Sequence, residues 1–243
     1  MRRMFLMSSV LLTVPFYAGT AGAEVCIAEE DCNNLGYTED KSCTDGLKCP
    51  FGEKWHCPDK KCQIGWILNS DMSCTENVES GKTPIAVVVY MDDNGNGQAM
   101  ALKDLGEKSW SIEYVDIPDL PNYGSISAAE KDFDSCSNTL KIIKQGGSSI
   151  YPAAWSAKNY APSSVASTKG QWCLPAAGIA RSMLNNYSAI NSGLSKAGGE
   201  LLPALSIISH CYWSSAEYTN DRAWGFCANN SATNGSVSLI GKT

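Results

Sequence analysis

Eleven cysteines in 243 residues constrain this chain more than any other feature, because their placement is uneven. Cys26, Cys32, Cys43, Cys49, Cys57, Cys62 and Cys74 crowd into one short stretch, and Cys136, Cys173, Cys211 and Cys227 are spread over the rest. Thiols in such number persist as disulfides in oxidising compartments, whereas a cytosolic chain carrying them calls for a metal. Residues 24–75 are also poor in Leu, Ile and Val and cannot bury much apolar surface, so covalent staples must replace a core there. Cys49-Pro50 and Cys57-Pro58, with Gly36, Gly46, Gly52 and Gly65, supply turns. The spacing Cys57-x4-Cys62 beside His56 is loosely zinc-like, but the paired Cys-x2-Cys of zinc ribbons is absent, and the segment reads as a loop-rich disulfide module. Eleven is odd, so at least one thiol is free, or pairs with another chain.

The N-terminus fixes the compartment. Arg2 and Arg3 precede an apolar stretch from Phe5 to Tyr17, and Ala21-Gly22-Ala23 follows as a small-x-small site. In that order these are the three parts of a secretory signal peptide, with cleavage expected after Ala23. The stretch is shorter than the roughly 20 apolar residues of a spanning helix, and no later segment is long and apolar enough to span a bilayer. The expected destination is secreted, cell-surface or periplasmic. Loss of the two leader arginines takes the formal charge from -6 to -8. An acidic chain argues against nucleic acid as a partner and against a polyanionic ligand.

Residues 76–83 read as a linker, and a second module is expected over 84–243. Ile85 to Met91 is a β-branched apolar run, hence a buried strand; Asp92 to Gly97 is an Asn-Gly-type turn lacking the spaced ligands of a calcium loop; Gln98 to Leu102 returns as the second strand of a hairpin. Ser127-Ala-Ala-Glu130 predicts a capping box opening one helix, with Ala129, Phe133, Cys136, Leu140 and Ile143 as its stripe and Gly146-Gly147 as its end. A short helix over 151–160 should turn Trp155 inward. Pro175 should open another helix with Ile179, Met183, Tyr187 and Ile190 inward. Strands are expected over 210–217 and 222–228, with a third over 235–240. The turn between the first two centres on residue 219, so a simple hairpin sets Cys211 opposite Cys227, and a cross-strand disulfide is expected there. Cys136 and Cys173 then remain as a helix-to-strand staple.

Two ordered motifs carry a family resemblance over about residues 84–240. Gln171-Trp-Cys-Leu-Pro175 ahead of a helix, and Tyr212-Trp-Ser-Ser215 with Glu217 and Ala223-Trp224, resemble the W-x-L-P and Y-W-S-S…A-W elements of the Lcl-type C-terminal domain family. The Ala-Val-Val-Val-Tyr and Ala-Leu-Lys-Asp-Leu105 strands are similar to its usual start. The resemblance implies an α+β, C-type-lectin-like compact domain with short antiparallel strands and two or three helices, related also to sulfatase-modifying-factor folds. It implies a secreted or surface binding or adhesion protein whose ligand is a glycan or another surface protein, with no cofactor. The candidate ligand-binding residues are Tyr218, Asn220, Asp221 and Trp224, around the hairpin turn. The chain departs from the family in lacking a Gly-x-y collagen repeat, and it stops at Ser238-Leu-Ile-Gly-Lys-Thr243 where relatives run on into an Arg-containing strand.

Catalysis is the weaker reading. His56 and His210 are the only histidines, no Gly-x-Ser-x-Gly elbow accompanies them, and no P-loop, dinucleotide fingerprint or His-Glu-x-x-His occurs. A sulfatase-modifying-factor-like enzyme would need a reactive cysteine pair, for which Cys211 and Cys227 are the candidates. A structural envelope protein without a soluble ligand is the remaining alternative.

Overall fold

The run Ile85 to Val89 is apolar without alternation, a pattern sustained by a strand covered on both faces. In the computed structural model it is covered in that way. Ala86 and Val88 join a buried cluster with Leu12, Val14, Leu68 and Trp110, whereas Val87 and Val89 join a second cluster with Ile179, Met183, Ile190 and Leu194. The structure describes residues 8–17, 26–27, 55–56, 62–93, 95–162, 165–203, 211–227 and 236–242. Most of the Cys-dense stretch and His210 lie outside the described residues.

The strands are β1 (Ser8–Ser9), β2 (Thr13–Tyr17), β3 (Cys26–Ile27), β4 (Trp55–His56), β5 (Ile67–Asn69), β6 (Cys74–Thr75), β7 (Pro84–Met91), β8 (Asn96–Ala101), β9 (Glu107–Lys108), β10 (Cys211–Thr219), β11 (Arg222–Cys227) and β12 (Ser236–Gly241). One sheet runs β2-β8-β7-β5-β6 and is antiparallel throughout. The other runs β12-β11-β10-β1-β9, with β1–β10 its parallel pair. β3 and β4 form a separate ribbon. The helices are α1 (Ile126–Ala129), α2 (Ser135–Ile150), α3 (Pro152–Asn159), α4 (Ala177–Asn185) and α5 (Tyr187–Ala197), and α4 packs on both β7 and β11. This is a mixed α+β architecture, and no helix among the described residues is long and apolar enough to cross a membrane.

Three boundaries differ from the sequence reading. β5 and β6 pair into the sheet of β7, and Cys62–Cys74 staples them, so the linker expected at 76–83 joins two strands of one sheet. Residues 8–17, inside the expected leader, supply β1 and β2 and link the two sheets. The helix expected from Ser127 is divided. Its N-cap is Ser125, whose Oγ accepts from Ala128 N at 3.3 Å, and the chain leaves the helix at Glu130 before α2 restarts.

The inward face of α2 is Ser135, Asn138, Thr139 and Ile142, while Phe133 and Leu140 are 40 % and 51 % exposed. Hydrogen bonds select that face. Ser135 Oγ donates to Gln98 Oε1, and Thr139 Oγ1 accepts from Leu174 N. Such paired polar groups are tolerated inside, and they override an apolar stripe. Trp155 is likewise not inward but 39 % exposed; Ala153, Ala154 and Ala157 face the core of α3, because small side chains let it approach closely. The helix expected after Pro175 breaks at Asn186 into α4 and α5, with Ile179, Met183 and Ile190 buried and Tyr187 half-buried.

Candidate functional site

The segment between α1 and α2 is held as a rigid rim. Gly178 N donates to Asp132 O at 2.8 Å, an approach open only to glycine: a Cβ there would stand 2.6 Å from Asp132 O and 2.8 Å from Glu130 O. The buried Asp132 carboxylate accepts from Asn138 Nδ2 at 2.7 Å and from Asp134 N at 2.9 Å. Arg181 Nε donates to Glu130 Oε1 at 2.8 Å, and Gln98 Nε2 donates to Phe133 O at 3.0 Å. The Phe133 ring, carried on this rim, is 40 % exposed.

That ring lies against Tyr90, with centroids 4.9 Å apart and planes 30° apart. The pair walls a groove of about 510 Å³ whose other sides are the β7–β8 turn, Gln98, Asp134 and the end of β2. Asp92 fixes the turn by accepting from Asn96 N at 2.7 Å and Asn96 Nδ2 at 2.8 Å. Gly97 has no side chain, and the Phe16 ring occupies the space above it. Burial, reinforced by the Asp92 and Asp93 charges, pushes the Tyr90 hydroxyl up, so it remains a neutral donor. Aromatic faces beside carboxylate and amide groups can stack on and hydrogen-bond a polyhydroxylated ring.

The residues proposed around the 218–221 turn divide differently. Trp224 is 3 % exposed, donates from Nε1 to Tyr123 O at 3.0 Å, and carries Tyr218 edge-on at 5.5 Å. Its ring is buried in the fold rather than open on the surface. Asn220 and Asp221 are exposed, but the Thr219 hydroxyl donates to Asp221 Oδ1 at 2.6 Å and holds that carboxyl below its usual range. Tyr218 is half-buried beside the turn. Among the described residues no group of three or more His, Cys, Asp or Glu is arranged to hold a metal.

Beneath the turn, Glu217 and Lys242 form a fully buried ion pair. Glu217 Oε2 also accepts from Ile117 N at 3.1 Å, and Lys242 Nζ donates to Val115 O at 3.2 Å and lies 4.6 Å from the Trp110 ring centre. Burial raises the Glu217 carboxyl and lowers the Lys242 ammonium, each opposed by the contact between them. The two motifs of the sequence meet here: Ser215 N donates to Pro175 O at 2.8 Å, and Trp110 Nε1 donates to Ser214 O at 2.9 Å. Cys211 and Cys227 face each other in register and are bonded, as are Cys136 and Cys173. A closed Cys211–Cys227 bond offers no thiolate for chemistry.

Sequence reasoning missed the groove because it placed Phe133 in a helix stripe and Tyr90, Asp92 and Gln98 in a plain hairpin. The signal available was Asp132-Phe133-Asp134, an aromatic between two carboxylates, which is a poor core stripe.

No protein-family profile matches the chain. No curated protein matches it. Among solved structures, a fimbrial protein from Bacteroides ovatus ATCC 8483 is similar at 16 % identity and a TM-score of 0.46, over 74 % of this chain and 46 % of that one. The chain therefore spans about half the length of that protein.

Proposed function

We propose that this chain is an exported surface or secreted binding protein, an Lcl-like, C-type-lectin-like domain whose ligand site is the groove walled by Tyr90 and Phe133, and that the ligand is a glycan. The observation that carries the reading is the partly exposed aromatic pair beside Asp92, Asn96 and Asp134. The leader motif and the cysteine content support export, and the meeting of the W-x-L-P and Y-W-S-S motifs supports the family resemblance. The acidic net charge and the two groove carboxylates favour neutral or amino sugars over sulfated ones.

A panel of oligosaccharides presented to the purified protein, with calcium and with chelator, tests this. Retention of neutral or amino sugars in both conditions is expected. Phe133→Ala should weaken it by about five- to tenfold, the value of one aromatic contact, with the melting temperature little changed because the ring is partly exposed. Absence of binding across the panel, or a Phe133→Ala protein that binds as well as the parent, contradicts the reading.

A further inference from the structure

Residues 8–17 carry two assignments that conflict. Their sequence is the apolar part of a removable leader, and their backbone runs through the middle of the fold. Val10 N donates to Gly106 O at 3.2 Å, Leu105 N to Val10 O at 3.0 Å, and Ala101 N to Leu12 O at 3.0 Å, while Thr13 and Cys173 exchange both bonds at 2.8 Å. Val10, Leu12, Val14 and Phe16 enter one core cluster and Leu11 the other. Excision of this segment would strip the N–H groups of Ala101, Leu105 and Cys173 of their partners and leave the edge of β8 unpaired. Buried backbone groups and apolar surface do not stay open in that way.

The segment is also an imperfect occupant. The Thr13 hydroxyl is buried with no hydrogen-bond partner, and Pro15 brings no N–H into its strand. We propose that the slot held by residues 8–17 is a strand-acceptor site: once residues 1–23 are removed, it takes an extended segment of a partner polypeptide, uncharged and apolar on both sides. The occupant's chemistry follows from the slot, which accepts Val10, Leu12 and Val14 on one side and pairs edge-to-edge with β8, the mode of β-strand addition. A second copy of this chain is the poorer donor, because among the described residues its strands of suitable length are already paired in its own sheets. The proposal rests on the reading of residues 1–23 as a leader, and the incoming strand then supplies the groove side that Pro15 and Phe16 hold.

Two preparations test it. In the first, the full chain is exported, its N-terminus is read by intact mass, and a fluorescent peptide of residues 8–17 is titrated in. In the second, a protease site inserted between residues 18 and 25 of the full chain is cut after folding, and the same peptide is offered for exchange; this arm does not require the shortened chain to fold unaided. Saturable one-to-one uptake is expected in both, about fivefold tighter for the peptide carrying Thr13→Val, which removes the unpaired hydroxyl, and lost with Leu12→Asp. A folded chain beginning at Glu24 that takes up no peptide overturns the slot while leaving the leader reading intact. A stable dimer that excludes the peptide overturns the choice of partner. An exported chain that retains residues 8–17 overturns the leader reading, and with it the vacated slot.

Discussion

Lys242 and Glu217 lie wholly out of water, with the Trp110 ring against the ammonium. Two buried charges owe their stability to each other, so removing one is costlier than the pair is worth. Lys242→Met should lower unfolding stability by about 3–5 kcal/mol, measured by denaturant titration; an unchanged midpoint would show that the pair does not form. The tyrosines supply a second residue-scale outcome. Burial raises Tyr90, Tyr151, Tyr160 and Tyr212, and raises Tyr123, beside Asp132, to about 12. A hydroxyl whose folded pKa exceeds its unfolded value of 10.0 holds its proton better in the folded state. That contribution is complete below pH 10 and is lost as the pH rises from 10 towards 12. Stability should therefore fall across this window, and Tyr123→Phe should fall less steeply. Neither group was legible as such in the sequence: Glu217 stood out only through its motif, and Lys242 sits in a run with no pattern of its own, so that only three-dimensional packing joins them.

At the scale of elements, what the sequence made legible was what local chemistry controls. The β7 strand, its Asp-Asn-Gly turn and the β10–β11 register that sets Cys211 against Cys227 follow from apolar runs and turn residues. Helices were located but their inward faces were not, because Ser135, Asn138 and Thr139 turn inward to meet polar groups distant in the sequence. Gly178 is the clearest example. It looks like a weak residue in a helix, yet it is where the Asp132 carbonyl touches α4. Gly178→Ala should cost about 1–3 kcal/mol by overpacking and should weaken groove ligands as well, since the rim carrying Phe133 must shift. A mutant that is destabilised yet binds normally when folded would separate the rim from the site.

Among the described residues, two five-stranded sheets share two apolar clusters, crossed by residues 8–17 and covered by α4 and α5. The α+β class was readable from the order of strand-like and helix-like segments. The pairing of residues 67–75 with β7 was not, since β5 and β6 are too short and too mixed to announce that they complete its sheet. The groove exists only at this scale, because β7, β8, the rim before α2 and whichever strand is seated beside β8 each contribute one side. The most direct test is a chemical-shift titration of the isotope-labelled protein with an oligosaccharide retained in the panel. Dose-dependent shifts centred on Tyr90, Asn96, Gln98, Phe133 and Asp134, with Asn220 and Asp221 silent, are the predicted result; shifts confined to the 218–221 turn, with the groove silent, would contradict it.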